Sequence, residues 1–303
     1  MKSEIIKSES SLKRYRTLAF ALSFVFTGLG QIYNGDLSRG IVFFIVRILS
    51  LLFIPVYLII QKDFSVLFVL TAAGLHILVW LISPIEAMQS AKGQNAYNLK
   101  KYNSVSFYLL YTFVNSVLVI LSVFLMTSFF SIEKIETDNM NPALLKNDYI
   151  LVNKYAAGHI DIGNIILFSS KNGIIEGRII GRDGDTVSKK QNYFYINDGA
   201  LSYNIFSKSE LTAMGLTNSE DLFFEVNGKR RYPVKLKPGK DKNAPFIKPV
   251  TLGSNELFIA FDNRSKDDSF EVIKTDSVIG RAEGIIYSKN ISRIFNRLFL
   301  AVE

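Results

Sequence analysis

The sequence predicts an α-helical, multi-pass membrane domain followed by a mainly-β domain, and three observations point to it. Residues 17–131 hold apolar runs of spanning length that are nearly free of charge. Residues 132–303 have the mixed composition of a water-exposed domain. That second part is also filled with short β-branched and aromatic segments parted by turn residues. The expected domains are therefore 1–131 and 132–303, with an insertion over 201–251.

In the first part, Gly40 to Ile60 and Ser65 to Ser83 each supply about 20 residues, and Val105 to Phe130 supplies more. At ~1.5 Å per residue, twenty residues cover the ~30 Å hydrocarbon core. Arg47 interrupts the first run within two turns of its end. It can snorkel or face a neighbouring helix, and snorkelling is the simpler expectation. His76, inside an apolar run, is expected to face another helix.

Leu18 to Tyr33 is short and ends in Gly28-Leu29-Gly30-Gln31-Ile32-Tyr33-Asn34-Gly35. This resembles the Gly-x-Gly-Gln-x-Tyr-x-Gly hairpin of small two-helix membrane domains, which often continues with Arg-Gly, here Arg39-Gly40. No strand precedes these glycines, so they are read as packing and turn positions rather than as a phosphate loop.

Lys2, Lys7, Lys13, Arg14 and Arg16 before the first run favour a cytoplasmic N-terminus. Lys92, Lys100 and Lys101, set against Glu86 in the 84–104 loop, favour the same side. Two cytoplasmic segments need an even number of crossings between them, so Leu18 to Tyr33 is expected to be re-entrant or interfacial. The last span then carries the β domain to the outer face of the cytoplasmic membrane. A full first span with an external N-terminus gives the same final orientation.

The expected strands are Tyr149 to Asn153, Asn164 to Ser169, Ile174 to Arg182, Asn192 to Ile196, Glu256 to Phe261 and Ser277 to Tyr287. Leu201 to Thr251 reads as a small, mostly-β appendage whose basic cluster, Lys229-Arg230-Arg231, is a solvated face. Ile294 to Val302 is too short to span and either lies on the membrane or packs on the domain.

Six motifs then occur in order. Thr137-Asp138-Asn139-Met140-Asn141-Pro142 is the first, followed by Leu144 to Lys154 and by Gly163-Asn164-Ile165-Ile166-Leu167-Phe168. Gly177-Arg178-Ile179-Ile180-Gly181-Arg182-Asp183-Gly184-Asp185 is next. Phe261-Asp262-Asn263-Arg264 and the closing Val278-Ile279-Gly280-Arg281-Ala282 complete the set. Across Ile132 to Tyr287 the series resembles bacterial signal peptidase I.

The resemblance implies a serine nucleophile at Asn139 and a lysine general base at Gly177, so neither half of the serine–lysine dyad is present. It implies an oxyanion-hole hydroxyl at Thr137, a substrate groove bordered by Met140 and Pro142, and an internal ion pair of Asp262 with Arg264. The serine expected three positions after Arg264 is Asp267. Lys146, Lys154 and Lys171 are the nearest lysines in sequence, but none holds the family's position.

The leading expectation is thus an inactive, membrane-anchored homologue that binds exported proteins or assists an active paralogue. Its partners would be the lipid bilayer and signal peptides or an active signal peptidase. An active signal peptidase with relocated catalytic residues, using Thr137 or Ser131, is the alternative. A membrane scaffold whose helical half does the work is a third reading. The net charge of +8 suits basic membrane-flanking loops better than nucleic acid. The absence of cysteine excludes thiol catalysis and disulfides. His76 and His159 lie too far apart in sequence for a ligand cluster, so neither a metal nor a cofactor is expected.

Overall fold

The computed structural model describes residues 13–60, 66–93, 97–171, 173–190, 193–216, 221–236, 246–264, 270–294 and 300–301. Two compact units divide at Thr127 and Ser128. This falls just ahead of the expected 131/132 boundary, because strand β1 (Phe130–Lys134) already pairs antiparallel with β2 (Tyr149–Asn153).

The first unit contains α1 (Arg16–Val25), α2 (Leu29–Tyr33), α3 (Leu37–Ile60), α4 (Val66–Ser90) and α5 (Val105–Phe129). Leu37–Tyr57, Thr71–Ser90 and Val105–Phe129 are long and apolar enough to cross a membrane. Leu109, Phe113, Ile120 and Phe124 of α5 are each more than three-fifths exposed, an apolar face suited to lipid. At ten residues, α1 covers only about half of a hydrocarbon core.

Two expectations need correcting here. α4 continues through Pro84 to Ser90, so the loop begins later than the run of apolar residues suggested. Arg47 does not simply snorkel: its Nη1 donates to Thr27 Oγ1 at 2.5 Å, in the link between α1 and α2. His76 does face a neighbour, with Nδ1 2.9 Å from Ser50 Oγ of α3.

The glycine motif is the polar hub of this unit. Gly28 adopts φ +94°, and a Cβ there would run into the Gly40 carbonyl and the Tyr111 hydroxyl, so only glycine reverses the chain at this point. Gln31 is wholly buried. Its amide donates to Ser83 O at 2.7 Å and to Glu86 Oε2 at 2.8 Å, while its carbonyl accepts from Ser23 Oγ at 2.7 Å. One side chain thereby ties α1, α2 and α4 together.

The second unit is built on a seven-stranded sheet. Its order is β1, β2, β14 (Val278–Tyr287), β3 (Ile165–Ser170), β4 (Gly173–Gly181), β12 (Glu256–Ala260) and β13 (Phe270–Lys274). The expected strands appear to within a residue or two, but β1, β13 and β5 (Thr186–Lys190) were not among them. Apolar clusters cover both faces. Ile135, Met140, Leu144, Ile165 and Leu167 belong to one, and Ile166, Phe168, Ile179 and Ile259 to another.

The 201–251 insertion is mostly β as expected, with β8 (Ser202–Ile205), β9 (Leu222–Asn227), β10 (Arg230–Lys235), β11 (Ile247–Thr251) and one short helix, α6 (Lys208–Ala213). It is more than an appendage. β11 pairs with β5, and Tyr232, Val234 and Ile247 share a core with Ile180 and Phe258. Of the basic cluster, Lys229 is exposed, but Arg231 pairs with Glu210 at 3.2 Å and lies over the Phe224 ring. Leu300–Ala301 forms β15 against β10, so the C-terminal segment packs on the domain at that point.

Candidate functional site

The 137–142 turn stands on a packed floor. Met140 is 0 % exposed and sits among Ile135, Leu144, Ile165, Leu167 and Phe261. Pro142 is buried as well. Both are expected to border a substrate groove; in the structure their side chains are buried and support the turn from below.

From the far end of the chain, Arg293 clamps the same turn. Its Nη2 donates to the carbonyls of Pro142 and Ala143, each at 2.9 Å, and lies 3.7 Å from Asp148 Oδ2. Burial lowers the Arg293 pKa against the pull of Asp148.

The polar side of the turn centres on Thr137. Its Oγ1 donates to Glu176 Oε1 at 2.5 Å and accepts from Asn139 N at 3.3 Å. The Thr137 proton is therefore already committed to a buried carboxylate. Asn263 holds the neighbouring backbone, its N donating to Asn139 O at 2.9 Å and its Nδ2 to Asp138 O at 3.3 Å.

Glu176 was not among the expected site residues. Side chains alternate along β4, so Glu176 and Arg178 share one face while Gly177 and Ile179 share the other. A Cβ on Gly177 would collide with Ile259 and lie 3.3 Å from Phe168. Gly177 thus faces Ile259 and Phe168, with Phe261 3.6 Å away, while Glu176 carries the contact to Thr137. Alternation through Ile174-Ile175-Glu176-Gly177-Arg178-Ile179-Ile180 was the signal that could have found Glu176, had the register been known.

The expected pair of Asp262 with Arg264 is replaced by two pairs, all four side chains being 0 % exposed. Asp262 accepts from Arg178 Nε at 2.8 Å and Nη2 at 2.7 Å. Arg264 instead donates through Nη2 at 2.6 Å and Nε at 3.3 Å to Glu225, which lies in the insertion. The Glu225 oxygens also accept from Tyr203 at 2.8 Å and Tyr232 at 2.9 Å.

A buried charge needs this degree of satisfaction. Arg178 caps the pair of pairs by stacking 4.2 Å over the Tyr232 ring. Burial pushes the Asp262 pKa up against the pull of Arg178. For Arg264 burial acts downward, yet Glu225, Tyr232 and Asp262 outweigh it and raise the guanidinium above its ordinary value. Burial, reinforced by Glu225, raises Tyr232 well above a normal phenol.

Of the other residues considered, Lys146 and Lys171 are exposed and Lys154 is half-buried. Ser131 lies on β1 opposite Val152, with its buried Oγ unpartnered. Asp267 lies outside the described residues.

The family described as "Signal peptidase, peptidase S26" matches residues 108–287, more than half of the chain. The chain belongs to the signal peptidase S26 family. No curated protein matches it. Among solved structures, a signal peptidase I from Enterococcus faecalis matches at 23 % identity over 40 % of this chain and 95 % of that one, with a TM-score of 0.23. The matched stretch begins inside α5, so the last long apolar helix belongs to the family region together with the β domain. Around its candidate site this family member carries an amide at Asn139 and a carboxylate at Glu176.

Proposed function

We propose that the chain is a signal peptidase homologue of the cytoplasmic membrane that does not cleave, and that holds exported proteins or assists an active paralogue. The hydrogen bond between Thr137 and Glu176, beside the Asn139 amide, carries the reading. A serine–lysine peptidase needs a neutral amine next to a hydroxyl nucleophile. Here a carboxylate stands at the hydroxyl, and an amide, which is not nucleophilic at neutral pH, stands at the nucleophile position. The long apolar helices support a multi-pass anchor, and the basic segments before Leu18 and in the 84–104 loop support a β domain on the outer face.

Peptide holding is supported by β1, which forms one edge of the seven-stranded sheet and runs directly into the 137–142 turn. An edge strand offers main-chain donors and acceptors to an extended peptide, and alternate side chains give specificity. The peptide would lie along β1 rather than against buried Met140.

One observation favours a second reading. A hydroxyl 2.5 Å from a carboxylate is the arrangement of a relocated nucleophile with its base. Incubating the purified full chain and its Thr137→Ala variant with a preprotein bearing a small-x-small site separates the two. No cleavage by either supports the non-cleaving reading. Cleavage by the wild type that Thr137→Ala abolishes overturns it in favour of a threonine peptidase.

A further inference from the structure

Arg14, just before α1, is only 6 % exposed. Its guanidinium carbon lies over two rings, 4.4 Å from the Tyr33 centroid and 4.2 Å from that of Tyr97. A guanidinium held by aromatic rings still hydrogen-bonds through its in-plane N–H groups. Two of these, on Nε and Nη2, are buried without a partner.

Nε and Nη2 are the same fork through which Arg178 grips Asp262 and Arg264 grips Glu225. In both of those cases the fork meets a two-oxygen acceptor. Arg14 presents a similarly buried fork, and among the described residues its Nε and Nη2 meet no acceptor, a desolvation cost that a bound anion would offset.

We propose that Arg14 anchors a binding site for a phosphate-type oxyanion. Two parallel N–H donors match two oxygens of a tetrahedral phosphate. Further cations stand close by in the chain. Lys13 and Arg16 flank Arg14 in sequence. Lys100 donates to Gly35 O at 2.8 Å, two residues beyond the stacking Tyr33. The Tyr97 hydroxyl is fixed by donating to Asn103 Oδ1 at 2.8 Å. Arg39 engages both Asp36 at 3.1 Å and Glu86 at 3.0 Å. Arg14 leads directly into an apolar helix, the level at which lipid headgroups meet a membrane protein. Free phosphate offers the same oxygens.

The test uses the full chain in a neutral detergent. Trp80, the single tryptophan, lies tilted against Phe24 with ring centroids 4.7 Å apart and donates to its carbonyl, so its fluorescence follows melting of the helical unit. The probes are phosphatidylglycerol, inorganic phosphate, and diacylglycerol as a phosphate-free lipid. Phosphatidylglycerol should raise the midpoint and diacylglycerol should not; a rise with inorganic phosphate as well would extend the site to free anions. Arg14→Lys keeps the charge but loses the fork and should weaken the apparent affinity about tenfold, while Lys101→Gln on the exposed surface should change it less than about threefold. Equal effects of the two variants, or no response to either phosphate probe, would overturn the site. Should Arg14→Lys fail to fold, salt decides on the wild type. A fork-held anion persists at about 0.5 M NaCl, whereas displacement there indicates diffuse attraction and rejects the proposal.

Discussion

Glu225 and Arg264 form a bidentate ion pair in which neither side chain is exposed, and the carboxylate comes from the insertion while the arginine comes from a family motif. The insertion is thereby part of the domain's core electrostatics. Lys235 N donates to Asp262 O and Arg264 N to Lys235 O, at 2.8 and 2.9 Å, so the backbone stitches the same junction.

Glu225→Gln should therefore destabilise the second unit by ~3 kcal/mol or more, since it strands a buried guanidinium. Glu225→Asp, which keeps the charge on a shorter arm, should cost less. Denaturant titration of the full chain in detergent checks both. A loss below about 1 kcal/mol for Glu225→Gln would place the pair in the class of solvent-screened bridges.

Much of this unit was legible in the sequence, because strands such as Tyr149–Asn153 announce themselves by β-branched runs between turns. What was hidden depends on pairing across distance. Nothing local to Glu225 marks it as the partner of Arg264, which lies 39 positions away. Nor does local sequence say which face of β4 looks at Thr137, because a one-residue shift of register exchanges the two faces. In the helical unit the glycine motif was readable as a reversal. The convergence of Gln31 on Ser83 and Glu86 required the third dimension.

Gly177→Ala should destabilise the second unit by about 1–3 kcal/mol, because the new methyl overlaps the Ile259 side chain. Adding Ile259→Ala should recover part of the loss. A double-mutant cycle of thermal midpoints reads the coupling, and strict additivity would show that the strand shifts to make room.

Gln31→Leu keeps the approximate volume and removes four hydrogen-bond positions from the hub. With Ser83, Glu86 and Ser23 left without this partner, the expected cost is about 1–3 kcal/mol, more if Glu86 stays charged. The measurement is Trp80 fluorescence on heating, compared with Ser90→Ala, whose hydroxyl accepts from Asn34 at 2.8 Å on the outer part of the same hub. An Asn34-side loss equal to that of Gln31→Leu would argue against a hub centred on Gln31.

The proposed orientation can be read with single cysteines, since the chain has none of its own. Ser202 and Lys92 are both exposed within their own units. With the β domain outside, Ser202→Cys should react with an impermeant maleimide in intact cells whose outer layers are permeable, and Lys92→Cys should react only after lysis. The opposite pattern would reverse the proposed topology.

Chemical restoration provides the sharpest test of which β4 face matters. By sequence alignment alone, Asn139→Ser with Gly177→Lys would rebuild the dyad. Position 177, however, faces Ile259 and Phe168, so that pair should remain inactive and fold poorly. Position 176 faces Thr137, and a lysine there would place its amine on the nucleophile side. Three effects of Glu176→Lys act together. It removes the carboxylate that now holds the Thr137 proton, freeing that hydroxyl to donate to an oxyanion. It introduces a base in a site where Glu176 is buried, and burial lowers a lysine pKa toward the neutral form that a general base requires. It also removes a negative charge from beside the developing oxyanion. Asn139→Ser with Glu176→Lys should therefore cleave a small-x-small preprotein above background, while each single variant and the Asn139→Ser, Gly177→Lys pair should not. Activity in the 177 pair and none in the folded 176 pair would mean that the strand register, and with it the face assigned to Glu176, is wrong by one residue.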